Sequence, residues 1–318
     1  METQQHTIFG AGQVGKPLAI ELAAQGHAVR LVRRSAPGEA IDGVEWMQGD
    51  ATDPAFAAQA CEGSVAVYNC TNPPDYGRWD GVLQPLYRAI WDAAAGPGAR
   101  LVQLDNLYMY GRPPESPFDE RTPMRPCSPH GEIRKAMNEE LWARHARGEL
   151  EVTVGHASDF FGPGADLSAV IRPDVLEAIA NGGRVYQLGN VDTAHGYSYT
   201  PDVVRGLATL GTRPEAVGRA WHLPTTSTTD TRTLLEVFAR HAGTKLKVSV
   251  VPEWVLKLAR VFSPMLGAVL TMRYQWDVPY VLDDGDFRRT FGIEPTPLDT
   301  AVAQTLAGFL PAQQAKAA

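Results

Sequence analysis

Two periods of apolar residues share the first two thirds of the chain. The short runs HTIFGAG, AVRLVRR, VEWMQGD, SVAVYNC, ARLVQLD and LEVTVGHAS read as six buried strands. Between several of them the period lengthens to that of a helix. VGKPLAIELAAQG carries Leu18 and Leu22 at helical spacing and stops at Gly26. A second helix is predicted from about Gly81 to Ala95. A third starts at Ser128, with Ile133, Met137 and Leu141 on one face and charged residues over much of the other. Strands joined by crossover helices predict an α/β fold on a parallel, doubly wound sheet.

The later pattern differs. YSYTPDVVRGLATL reads as a turn and a helix. From about Gly211 proline and threonine become frequent, with Ser227 or Thr228 as the cap of a following helix. This predicts a smaller, mainly helical unit over the C-terminal edge of the sheet. The expected division is a dinucleotide-binding domain at residues 1–164, with contributions from about 185–210, and a substrate domain at 165–318.

Charge and cysteine content narrow the partners. A net charge of −7 without a Lys/Arg-rich run argues against nucleic acid. Cys61, Cys70 and Cys127 lack metal-site spacing, so no metal is expected, and so sparse a set suits the reducing cytoplasm. METQQHTIFG leads straight into a strand and lacks the features of a signal peptide. The most apolar stretch, Val261 to Met272, is 12 residues long and interrupted by Pro264, too short for a membrane span.

The candidate chemistry starts at GAGQVG, Gly10 to Gly15, between a strand and a helix. Gly10 allows a tight turn, Gly12 lets a pyrophosphate approach the backbone, and Gly15 lets the helix pack on the strand. Gln13 and Val14 complete the turn, whose helix offers N–H groups to phosphate oxygens. At the end of the second strand, where a carboxylate would hold NAD ribose, stand Arg33 and Arg34. Guanidiniums fork onto a 2′-phosphate, so NADP(H) is the predicted cofactor. Asp50 and Ala51 are placed toward the adenine, and Asn69, Cys70, Thr71 and Asn72 along the phosphates.

The glycine turn, GDATD, Tyr110–Gly111, the helix at Ser128 and SDFFGPG at Ser158–Gly164 occur in an order that resembles the extended or atypical short-chain dehydrogenase/reductases, of the NAD-dependent epimerase/dehydratase type. The likeness covers roughly residues 6 to 210 and continues weakly through DDGDFRRTFG. It implies a dinucleotide enzyme and a homodimer. In that family a Ser or Thr follows the fifth strand and YxxxK opens the next helix. The tyrosine is the acid, and the lysine lowers its pKa and binds ribose. Here the serine place falls on Asn106, the tyrosine place on His130 and the lysine place on Arg134. A histidine can donate a proton near neutral pH. Arg134 can hold ribose hydroxyls but cannot relay protons. The Asn106 amide can polarise a carbonyl oxygen. Tyr108 is a further candidate acid, Tyr110 reads as structural, and Asp105, at the strand tip, suits either a base or, with slight preference, a turn cap.

Tyr76, Trp79, Tyr108, Phe160, Phe161, His195 and Trp276 fall at loops on the expected substrate side, beside Pro73, Pro74, Tyr197 and Tyr274. Such a wall suits a small apolar or aromatic carbonyl compound, or an activated alkene, although each of these residues also suits a core. The leading reading is an NADP(H)-dependent oxidoreductase. Two others stay open: an NADP-binding regulator without turnover, and a non-redox epimerase, isomerase or lyase.

Overall fold

The computed structural model describes residues 3–73, 75–168, 170–226, 229–259 and 264–317. The proposed caps Ser227 and Thr228, Pro74, and the beginning of the apolar stretch at 261–263 lie outside the described residues. The chain divides into two compact units. The first comprises Met1–Asn106, Ile133–His156 and Val203–Leu223; the second comprises Leu107–Glu132, Ala157–Asp202 and Pro224–Ala318. The chain thus leaves and re-enters each unit, where the sequence suggested a division near residue 164.

All six expected strands form: β1 Gln5–Phe9, β2 Ala28–Arg33, β3 Val44–Gln48, β4 Ser64–Asn69, β5 Arg100–Asp105 and β6 Val152–His156. A seventh strand, Ala220–His222, pairs with β6 and lies in a region read as helical. It is three residues long, too short to show a period. The parallel order is Ala220–His222, β6, β5, β4, β1, β2, β3. Ile8, Phe9, Leu31, Val67, Tyr68, Leu101, Val102, Val152 and Val154 fill the core of this sheet. Each such side chain contributes about 1.5–3 kcal/mol of burial.

Helices α1 Gly15–Ala24, α2 Pro54–Cys61, α3 Leu83–Ala95 and α4 Pro129–Ala146 follow β1, β3, β4 and β5. On α3, Leu83, Tyr87, Ile90 and Trp91 are buried at helical spacing. Asp53 caps α2 by accepting from the Ala55 N–H at 3.0 Å.

In the second unit, strand Asp159–Phe161 pairs in parallel with Tyr197–Tyr199, a segment read as a turn; the helix that follows spans Thr200–Thr212. Arg184–Gln187 pairs with Lys247–Val250. Asp230, not an upstream Ser or Thr, caps helix Thr231–His241, accepting from the Thr233 N–H at 2.7 Å. Helices Pro173–Ala180, Thr231–His241 and Leu298–Ala317 surround a core that includes Phe161, Tyr197, Phe238 and Trp276. Among the described residues no helix is long and apolar enough to cross a membrane.

Two buried histidines tie this fold to pH. Burial, with His27 adding to it, pushes His6 down to about 4. Burial, with His222 adding to it, pushes His156 down to about 3. Below about 6.5 the unfolded chain takes up protons that these folded rings refuse, so stability is present above that pH and is lost as pH falls toward 4 and 3. The urea midpoint is expected to fall between pH 7.5 and 5.0, with a smaller fall in His156→Gln. An equal fall in both proteins would contradict the assignment.

Candidate functional site

The strand order reverses between β1 and β4, so a crevice opens at their carboxyl ends. Gly10 adopts φ +99°, and a Cβ there would stand 2.8 Å from the carbonyl oxygen of Cys70. A Cβ on Gly15 would overlap the carbonyl oxygen of Gly10, so only glycine lets α1 start so close to the tip of β1. On Gly12 a Cβ would meet nothing within 4 Å, which leaves room for a ligand. No side chain caps α1 at Val14, so its first N–H groups suit phosphate oxygens. Gln13 is half-buried and Val14 buried in this turn. The cradle fits the pyrophosphate of a dinucleotide.

Arg33 ends β2, half-buried, and the exposed Arg34 follows it. Neither guanidinium forms an ion pair among the described residues. Asp50 turns back on its own chain: Oδ1 accepts from the backbone N–H and the hydroxyl of Thr52 at 2.9 and 2.8 Å. These bonds hold its carboxyl below the usual range, with a smaller pull from Arg34. That Asx turn leads into α2 and occupies the oxygen expected to reach the adenine; Ala51 is buried beside it.

At the tip of β4, Asn69 Oδ1 accepts from the N–H and hydroxyl of Thr71 at 3.1 and 2.6 Å. Its amide donates to Gln103 at 3.0 Å. Burial pushes the Cys70 thiol up to about 12, which keeps it neutral. Tyr87 donates its hydroxyl to the Thr71 carbonyl at 2.9 Å. The loop is thereby fixed along the crevice before any ligand arrives.

Arg134 sits at the centre of a buried polar cluster in the first unit. Its Nη1 lies 2.9 Å from Asp105, and both side chains are 3% exposed, so this is an ion pair out of water. Nη1 also donates to the Tyr87 hydroxyl at 2.9 Å, and Nη2 donates to Asn72 Oδ1 at 2.8 Å. The guanidinium lies over the rings of Trp79 and Tyr87, 4.6 and 5.3 Å from their centroids. Asn138, one turn further on α4, donates to the other Asp105 oxygen at 2.7 Å. Asp105 therefore balances a buried cation as well as accepting the Asn106 N–H at 2.8 Å. Its reading as a turn cap covered only the second bond.

The second unit holds the start of α4. Ser128 accepts from the Gly131 N–H at 3.1 Å and Pro129 takes the first helical position, a cap written in SPHG. His130 is buried in that turn. A Cβ on Gly131 would be 2.5 Å from the Tyr108 carbonyl oxygen, so the structure brings the Tyr108 backbone against the turn that carries His130. The Tyr108 ring is half-buried and Tyr110 is buried in an aromatic cluster with Phe118.

Most of the expected substrate wall is interior. Phe161 is fully buried against Tyr199 and Phe238. Trp79 is buried beneath Arg134. His195 donates from Nδ1 to the Gln275 carbonyl at 3.0 Å, and its Nε2 lies 2.9 Å from Asp159 Oδ2, which also accepts from the Trp276 indole at 3.0 Å. Trp276 is buried as well. These four side chains are thus interior, where the sequence suggested a substrate wall. Phe160 and Tyr108 remain half-exposed, and the side chain of Tyr76 lies outside the described part. A cleft of about 370 Å³ in the second unit is lined by Arg112, Cys127, Arg273, Tyr274 and Asp277 among others, a largely polar set. Of the partners the sequence reading missed, Asn138 had a signal, its spacing of four from Arg134; Tyr87 and Asp159 had none.

Residues 7–223 match the NAD dependent epimerase/dehydratase family. A dTDP-glucose 4,6-dehydratase of Streptomyces griseus is 27% identical over 157 residues, 49% of this chain and 47% of that protein. The chain thus matches about half the length of this curated relative. The epimerase Mth375 of Methanothermobacter thermautotrophicus superposes with a TM-score of 0.80 at 18% identity, over 99% of this chain and 94% of that one. DesIV of Streptomyces venezuelae, a dTDP-glucose 4,6-dehydratase solved with NAD bound, gives 0.77 at 17% identity over 98% of each chain.

The buried pair yields a stability test. Asp105→Ala strands the Arg134 charge and is expected to cost about 3–5 kcal/mol. The apolar double variant Asp105→Leu/Arg134→Met is expected to lose less than either single change. Urea denaturation checks both; a loss under about 1 kcal/mol in Asp105→Ala would mean that the pair is not desolvated.

Proposed function

This chain belongs to the NAD dependent epimerase/dehydratase family, and from that premise we propose that it is an NADP(H)-dependent oxidoreductase with an altered acid. The observation that carries the cofactor reading is the pair of guanidiniums at the tip of β2 that form no ion pair among the described residues, beside a helix start without a side-chain cap. Gly10, Gly12, Gln13, Val14 and Gly15 would hold the pyrophosphate, and Arg33 and Arg34 the 2′-phosphate. Ala51, Cys70, Thr71 and Asn72 would line the crevice between them. When bound, the nicotinamide supplies or accepts a hydride.

The chain's own groups then handle the oxygen. We assign the role of proton donor to His130 and that of the amide polarising a carbonyl oxygen to Asn106, the roles their places in the sequence imply. Arg134 takes no part in proton movement, since a guanidinium keeps its proton throughout the working pH range. Its bonds to Asp105, Tyr87 and Asn72 make it a fixed cation that holds the tips of β4 and β5 in place. We assign the substrate to the small carbonyl compounds or activated alkenes, with Tyr108 and Phe160 as its apolar contacts. Tyr108 is the next candidate acid.

The same buried Arg134 favours one second reading, an NADP(H)-binding regulator without turnover, because a clamped guanidinium stands where the resemblance places the lysine that lowers the tyrosine's pKa. Tight NADPH binding with no oxidation of NADPH across a broad carbonyl panel would select it.

Two outcomes test the main reading. Arg33→Ala/Arg34→Ala is expected to raise the calorimetric Kd for NADPH by about 10–100-fold and to leave NADH within about threefold. Equal losses would remove the 2′-phosphate assignment. His130→Ala is expected to lower kcat by about 10²–10⁴-fold while the Kd for NADPH stays near that of the parent. Unchanged turnover would move the acid elsewhere.

A further inference from the structure

The end of β2 is more elaborate than two exposed arginines. Register pairs Leu31 with Trp46 and Arg33 with Gln48. Partners in a parallel ladder share a face and side chains alternate, so Leu31, Arg33, Trp46 and Gln48 lie on one side of the sheet. Arg30 and Glu45 confirm the alternation on the other side, with an ion pair at 3.2 Å. On the shared face the Arg33 guanidinium lies over the Trp46 ring, 5.8 Å from its centroid.

One loop closes around this contact. Arg33 Nε donates to the Ser35 hydroxyl at 2.8 Å. A Cβ on Gly38 would come within 3.2 Å of the indole, so the bare glycine lets the chain lie on the ring. The indole N–H donates to the Glu39 carbonyl at 3.1 Å. Gln48 donates to the Arg34 carbonyl at 3.3 Å and fixes the point where the loop departs. With Nε tied to Ser35 and one face laid on the indole, Nη1 and Nη2 of Arg33 make no other hydrogen bond among the described residues.

We propose that Trp46 is a specificity-determining positioning residue: it holds Arg33 so that the terminal nitrogens face the 2′-phosphate of NADP(H), and thereby separates NADP(H) from NAD(H). The inference rests on the NADP(H) reading above. Its physical basis is preorganisation. An exposed arginine loses rotamer freedom when it binds, and a guanidinium already stacked and tied loses less. A cation over an indole gains about 0.5–1 kcal/mol at a surface site.

Calorimetry of the full chain with NADPH and with NADH tests this. Trp46→Leu is expected to weaken NADPH about fivefold and leave NADH unchanged. Trp46→Phe, which keeps a ring face but not the N–H, is expected to lose less. Arg33→Lys, which keeps the charge but cannot stack as a plane, is expected to lose at least as much as Trp46→Leu. In an Arg33→Ala background Trp46→Leu is expected to have no further effect, because Trp46 acts through Arg33. If the parent prefers NADPH but Trp46→Leu weakens both nucleotides equally, or neither, the proposal is overturned while the cofactor reading stands. If Trp46→Leu does not fold, the Trp46→Phe and Arg33→Lys variants decide on the same criteria. A parent that binds NADH as tightly as NADPH removes the cofactor reading, and this inference with it.

Discussion

The close approach of Gly15 to the carbonyl of Gly10 is the constraint from which the site grows. Because neither residue carries a side chain there, α1 starts directly over the tip of β1 and its first N–H groups remain without a side-chain cap. The switch in strand order then sets the β4 tip beside it, where Asn69 and Thr71 fix the second wall of the crevice. An anion placed there meets aligned dipoles at no cost in rearrangement.

A second constraint acts on the same sheet, at the tip of β5. Where relatives by resemblance keep a lysine, this chain buries an arginine against Asp105. The exchange reaches beyond one position. A lysine is a compact charge that can give up its proton; a guanidinium needs several acceptors in a plane and does not. Asp105, Asn72 and the Tyr87 hydroxyl supply them, and Asn138 occupies the other Asp105 oxygen. Through its terminal nitrogens Arg134 is thus held within the first unit.

The sequence made part of this legible. Strands β1 to β6 and the glycine turn follow from apolar period and local turn chemistry, which depend on neighbours in the chain. The strand Ala220–His222 has too few residues to display a period, and it forms because β6 offers a free edge. The burial of the aromatic residues expected on the substrate side was not legible for a related reason. Phe161, Trp276 and His195 are near loops in sequence, but burial is set by what packs against them from distant segments. Arg134 stood out in the sequence, but Asp105 and Tyr87 reach it only through the fold. Trp46 showed only as one apolar residue of an edge strand.

The chain is expected to hold a phosphate-bearing dinucleotide across the carboxyl edge of the sheet. A crystal structure of the chain with NADP⁺ tests that most directly. The expected result is a pyrophosphate on the backbone of Gly12 to Gly15 and a 2′-phosphate within hydrogen-bonding distance of Arg33 and Arg34. A nucleotide bound elsewhere, or crystals grown in saturating NADP⁺ that show none in the crevice, would contradict it.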